Sequence, residues 1–136
     1  GGTLDGATIA VLGLTFKAHT DDLRDSPSIA VVTDLVDAGA KIRAYDPTVK
    51  GPFTRAQQAT IGPVASSLQL CDDPLDACSG VDAVVVLTEW PEFAELDLDR
   101  LASIVAGRAS VVDARNLLDP AAVRAAGLTY VGVGRR

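Results

Sequence analysis

Short apolar runs recur along this chain at near-regular intervals, with helical signals in the gaps, and no other feature narrows the possible folds as far. The runs are Thr8–Leu14, Lys41–Asp46, Leu68–Leu70 (the weakest), Asp82–Leu87, Ala109–Asp113 and Thr129–Val133. Several are continuously apolar rather than alternating, which is the pattern of strands covered on both faces. Strands that alternate with helices imply a parallel α/β sheet joined by right-handed crossovers. With 136 residues, the chain suits a single domain.

The helical segments carry their own start and stop signals. Ser26 is suited to an N-cap and Pro27 to a first helical position. Ile29, Val32, Leu35 and Val36 then share one face, and Gly39 ends the run. Asp73-Pro74 opens a second, short helix closed by Gly80. Leu98, Leu101, Ala102 and Val105 form another apolar stripe, with Asp97 and Asp99 in a favourable first turn and Gly107 beyond the end. Asp119-Pro120 opens a further helix, ended by Gly127. The segment Gly51–Pro63 reads either as a surface loop or as a short exposed helix. No internal repeat or low-complexity tract interrupts the pattern.

Charge narrows the partners. The formal net charge of −6 disfavours nucleic acid, whose binding needs a basic face. A small phosphorylated ligand remains compatible, because a few local cations outweigh a distant negative surface. Cys71 and Cys78 have neither zinc-knuckle nor CxxC spacing, so they read as ordinary thiols of a reducing, cytoplasmic compartment. No apolar run approaches the ~20 residues that span a bilayer, so no membrane partner is expected. The opening "GGTLDGATIAVLG" shows no secretory leader and enters a strand almost at once, so a domain of a longer polypeptide is expected.

In open α/β sheets, ligands bind beyond the carboxyl ends of the strands. Three stretches fall there: the long joint after Leu14, "TEWPEF" after Leu87, and "DARN" after Val112. The first joint has one glycine, Gly13, and no GxGxxG, so it does not encode a turn that presses a pyrophosphate onto a helix. It offers other tools: Lys17 for a phosphate or sugar oxygen, Phe16 as an apolar wall, and Arg24 for a second anion. Asp21, Asp22 and Asp25 could pair with these cations, and a solvated loop of mixed charge is the competing reading. Arg115, just past a strand end, is another anion candidate; otherwise it is a surface arginine pairing with Asp113 or Asp119. Asp46 stands where a dinucleotide fold places its ribose-binding carboxylate, but the following Pro47 favours turn chemistry. Trp90-Pro91 reads as a cap on the sheet rather than a pocket wall. His19 has no partner ligands at metal spacing, so no metal site is expected. The terminal "GVGRR" has glycines but no following helix, and reads as a structural end.

Taken in order, "LGLTFKAHTDDLRDSPS", "LVDAGAKIRAYDP", "VVLTEWPEF" and "VVDARNLLD" closely resemble the C-terminal domain of the UDP-glucose/GDP-mannose dehydrogenase family, from about Ala7 to Gly134. The variant is most similar to bacterial UDP-glucose 6-dehydrogenases. The resemblance implies a Rossmann-like three-layer fold, with helices on both faces of a parallel sheet, holding the UDP part of a nucleotide sugar. It implies an enzyme that oxidises UDP-glucose to UDP-glucuronate with two NAD⁺. By motif, Phe16, Lys17 and Arg115 would contact the UDP-sugar, and Arg24 would reach the NAD pyrophosphate. The long joint would then lie between two domains, with a cation for each ligand.

The departures from the family are equally informative. Its catalytic cysteine belongs to a glycine-rich motif in a preceding part of the chain, a setting neither Cys71 nor Cys78 has. The NAD-binding domain and the central helical part are absent from residues 1–136. The resemblance therefore implies no catalytic residue here, NAD held mainly elsewhere, the N-terminal part of the same enzyme as partner, and a homo-oligomer at full length. UDP-N-acetylmannosamine or GDP-mannose dehydrogenase relatives, and a non-enzymatic α/β interaction module, are the alternatives.

Overall fold

The computed structural model describes residues 4–14, 27–49, 51–107 and 109–132. Among them, strands β1 (Thr8–Leu12), β2 (Lys41–Tyr45), β3 (Leu68–Leu70), β4 (Ala83–Val86), β5 (Ser110–Asp113) and β6 (Thr129–Gly132) form one sheet in the order β3-β2-β1-β4-β5-β6. Every pairing is parallel. Consecutive parallel strands need crossovers, and the intervening helices supply them: α1 (Pro27–Asp37), α2 (Arg55–Ile61), α3 (Pro74–Ala77), α4 (Pro91–Ala94), α5 (Leu98–Ile104) and α6 (Pro120–Ala125). The strand order reverses between β1 and β4. That gap at the carboxyl edge is the topological switch point, where such folds open a crevice.

Alternation along the strands divides the core into two layers. Ile9, Val11, Ile42, Ala44 and Val85 point to one face and pack with Val32 of α1 and Ile61 of α2. Ala10, Leu12, Val84, Val86 and Val111 point to the other, against Ala77, Phe93, Leu101 and Val123 of α3 to α6. The first layer is centred on β1, β2 and β4; Val131 on the edge strand β6 is 47% exposed.

The strands end close to where the sequence places them, and the differences have local causes. The expected run to Leu14 stops at Leu12 because Gly13 turns to φ 101°, outside the β region. The Gly51–Pro63 segment contains helix α2, held by a reciprocal capping box between Thr54 and Gln57. A 3-10 turn, Pro63–Ser67, and the four-residue helix α4 were not expected, being too short to show a hydrophobic period. Asp73, Asp97 and Asp119 each cap a helix N-terminus through a side-chain hydrogen bond; Asp97 does so from just before the helix rather than from the first turn expected for it. The Ser26 cap lies outside the described residues. Arg43 is spent on structure: its guanidinium donates to the carbonyls of Asp76 and Ala77 at the end of α3.

Candidate functional site

At the switch point, β1 and β4 approach each other so closely that Gly13 is obligatory. A Cβ there would fall 2.4 Å from Thr88 Oγ1 and 2.5 Å from Thr88 Cβ. Thr88 is fully buried, so it has nowhere to retreat. The glycine thus serves strand-to-strand packing.

Two buried carboxylates shape the rims of this edge. Asp46, 1% exposed, accepts from Leu14 N at 2.7 Å, Thr48 N at 2.8 Å and Thr48 Oγ1 at 2.6 Å. One carboxylate therefore makes the turn after β2 and also holds the backbone leaving β1. This is the turn chemistry expected of Asp46, and it commits the carboxylate away from a ribose. Asp113, fully buried at the end of β5, does the same for the "DARN" loop. It accepts from Arg115 N at 3.2 Å, Leu118 N at 2.7 Å and the Tyr130 hydroxyl at 3.1 Å. Asn116 in that loop takes a left-handed φ of 54°, a conformation asparagine tolerates well.

Arg115 is thereby presented at the carboxyl edge, and its guanidinium forms an ion pair with Glu89. The alternative of a surface arginine paired with Asp113 or Asp119 names the wrong partner, since the acid it meets is Glu89. The Asp113 carboxylate meets the backbone of Arg115, and Asp119 caps α6 through Ala121 N. Glu89 follows β4 as Arg115 follows β5, and Val86 pairs with Asp113 in the register between those strands. The ion pair leans Arg115 from β5 towards β4, the side of the switch point.

The segment after β4 is a strap pinned at both ends. Thr88 is buried before it and Phe93 is buried within it, edge-on to Tyr45 with ring centroids 6.0 Å apart. The Tyr45 hydroxyl donates to Glu92 Oε2 at 3.1 Å. Burial, then the charge and hydrogen bond of Glu92, then Asp73 and Asp46, push the Tyr45 hydroxyl up to about 12. Trp90 packs against the core cluster beneath and begins α4, as a cap on the sheet would. Cys71 and Cys78 are both buried. Burial, then Cys71 and Asp73, push the Cys78 thiol up to about 12; burial also raises Cys71. Both are core thiols whose neutral form burial favours.

Of the residues singled out for ligands, Arg115 stands at the expected edge. Phe16, Lys17 and Arg24, together with His19, Asp21, Asp22 and Asp25, lie outside the described residues. The sequence places Glu89 at this carboxyl edge but gives it no partner, and it gives no sign of Tyr45. Only the register of neighbouring strands brings Glu89 to Arg115 and Tyr45 to Glu92. A cavity of about 810 Å³ opens elsewhere, beside the edge strand β3, lined by residues including Phe53, Gln58, Ser66 and Asp72. Its described lining carries Asp72 and no cation. Among the described residues no helix is long and apolar enough to cross a membrane.

Comparison with known proteins bears on the family and the fold. Residues 10–120 match the UDP-glucose/GDP-mannose dehydrogenase family, UDP binding domain. The chain is 44% identical over 135 residues to a UDP-glucose 6-dehydrogenase of Rhizobium meliloti (strain 1021), covering 99% of this chain and 29% of that protein. Among solved structures, it resembles an NDP-N-acetyl-D-galactosaminuronic acid dehydrogenase from Methanosarcina mazei with a TM-score of 0.79, at 27% identity over 98% of this chain and 26% of that one. A UDP-glucose dehydrogenase from Pyrobaculum islandicum gives a TM-score of 0.73 at 28% identity, again over 98% and 26%. The chain thus spans under a third of the length of the relatives it matches.

Proposed function

The chain belongs to the UDP-glucose/GDP-mannose dehydrogenase family, as its UDP binding domain, and on that footing we propose that its carboxyl edge grips the diphosphate of a UDP-sugar within a UDP-glucose 6-dehydrogenase. The observation that carries this reading is Arg115. A buried aspartate organises its loop, and its guanidinium leans towards the switch point. In this reading Lys17 supplies a second cation from the joint after β1, and Phe16 walls the same pocket. Arg24 reaches the pyrophosphate of NAD, which residues outside this chain mainly hold. No residue of the chain is catalytic, and the reacting cysteine comes from the N-terminal part of the same enzyme. That enzyme is a cytoplasmic homo-oligomer. UDP-glucose is favoured over other nucleotide sugars because UDP-glucose 6-dehydrogenases are among the most similar relatives.

Two cations on one diphosphate contribute about 1.5–3 kcal/mol per charge-assisted bond. Calorimetry with UDP should therefore give a signal that Lys17→Ala and Arg115→Ala each weaken. Unchanged affinity in both variants removes the assignment. UDP should also raise the melting temperature where uridine does not, since a ligand of the folded state stabilises it. The chain by itself, mixed with UDP-glucose and NAD⁺, should form no NADH.

A further inference from the structure

We infer that Glu89 is a resident counter-ion of Arg115, which an incoming diphosphate displaces in an exchange of ion pairs. The inference rests on the reading above, that Arg115 meets the anion. Glu89 is not a loose surface carboxylate that happens to lie nearby. It sits between fully buried Thr88 and the strap anchored by fully buried Phe93, so its backbone is held from both sides. Arg115 is held just as firmly, by the Asp113 carboxylate on its own N–H. Both partners are thus set by the sheet, and the pair they form is the one printed by the fold rather than by chance encounter.

The pair is open to exchange from the arginine side: the Arg115 side chain is 40% exposed and that of Glu89 34%, while the Glu89 Oε2 that meets the guanidinium is itself buried. A guanidinium has five donors, and one carboxylate engages only part of that fork. A diphosphate offers more charge and more acceptor oxygens than a carboxylate, so it wins the guanidinium once other contacts hold it in place. Until then Glu89 keeps Arg115 directed at the edge and screens its charge from lesser anions. Glu89 is a positioning residue, acting on the ligand through Arg115, and it also discourages singly charged competitors.

Removing the counter-ion should therefore strengthen the ligand's hold. A partly exposed pair contributes up to about 1 kcal/mol, which corresponds to about fivefold in affinity. UDP is titrated by calorimetry into the wild-type protein, Glu89→Gln, Arg115→Ala and the double variant, with uridine as the phosphate-free control. Glu89→Gln should bind UDP about threefold to fivefold more tightly, while its uridine affinity stays that of the wild type. In the Arg115→Ala background the same change should have no more than about a twofold effect, because the residue through which it acts is gone. If Arg115→Ala weakens UDP but Glu89→Gln does not tighten it, the exchange is overturned and the role of Arg115 stands. An equal gain for uridine also overturns it. If Arg115→Ala leaves UDP affinity unchanged, the reading of Arg115 fails first and the exchange with it.

Discussion

Replacing Asp46 by alanine tests whether this carboxylate is a structural clamp or a ligand-binding group. Among the described residues, the substitution withdraws the acceptor of Leu14 N, Thr48 N and Thr48 Oγ1. The bond to Leu14 is buried, and withdrawing the acceptor of a buried donor costs about 1–3 kcal/mol. The two bonds within the Thr48 turn are part-buried and can be replaced by water, at about 0.5–1 kcal/mol each. No longer burying a carboxylate offsets some of this, which leaves about 2–4 kcal/mol. For a domain of this size each kcal/mol lowers the melting temperature by about 3–4 °C, so a drop of about 6–15 °C is expected by calorimetry or circular dichroism. Asp46→Asn should fall between, since its amide must turn a donor towards another donor. Thr48→Val should cost no more than about 1 kcal/mol, having lost one part-buried bond. An Asp46→Ala protein that melts within about 2 °C of the wild type would refute the clamp. Unchanged stability with lost nucleotide affinity would restore the ribose reading.

Other outcomes follow from the same geometry. Gly13→Ala should destabilise by roughly 2–5 kcal/mol, combining a left-handed backbone with overpacking. Thr88→Ala should not rescue it, because the Thr88 Cβ would still lie 2.5 Å from the new methyl group; a rescue on denaturant titration would show that the contact is misassigned. Tyr45 and Cys78 are both raised to about 12 from unfolded values of 10.0 and 9.0, so the neutral forms favour the folded chain. Their contribution is complete below about pH 9 and is lost progressively as pH rises towards about 12. The urea midpoint should therefore fall between about pH 9 and 11, and less steeply in Tyr45→Phe; a flat profile would contradict this. In the folded protein near neutral pH, both cysteines should react with a thiol reagent far more slowly than after unfolding.

The order of strands and helices was legible in the sequence because it rests on local information. Apolar runs, an Asp-Pro pair before a helix and a glycine after one act over a few residues, and they act wherever the chain goes. Asp73 and Asp119, each before a proline, cap their helices as their neighbours alone suggest. The same locality made Arg115 a candidate, since a cation beyond a strand end must lie at the carboxyl edge of a parallel sheet. It also left Pro91–Ala94 undetected, because one helical turn is too short to show a period. What surrounds Arg115 was decided by tertiary structure. Glu89 meets Arg115, Tyr45 meets Glu92, and Gly13 meets Thr88 only because the strand order places β4 between β1 and β5 and brings β2 within reach of the strap. Those partners are separated by tens of residues, and no spacing rule along the chain relates them. Pairing register and the burial of two apolar layers choose them, which are properties of the whole sheet rather than of any one segment.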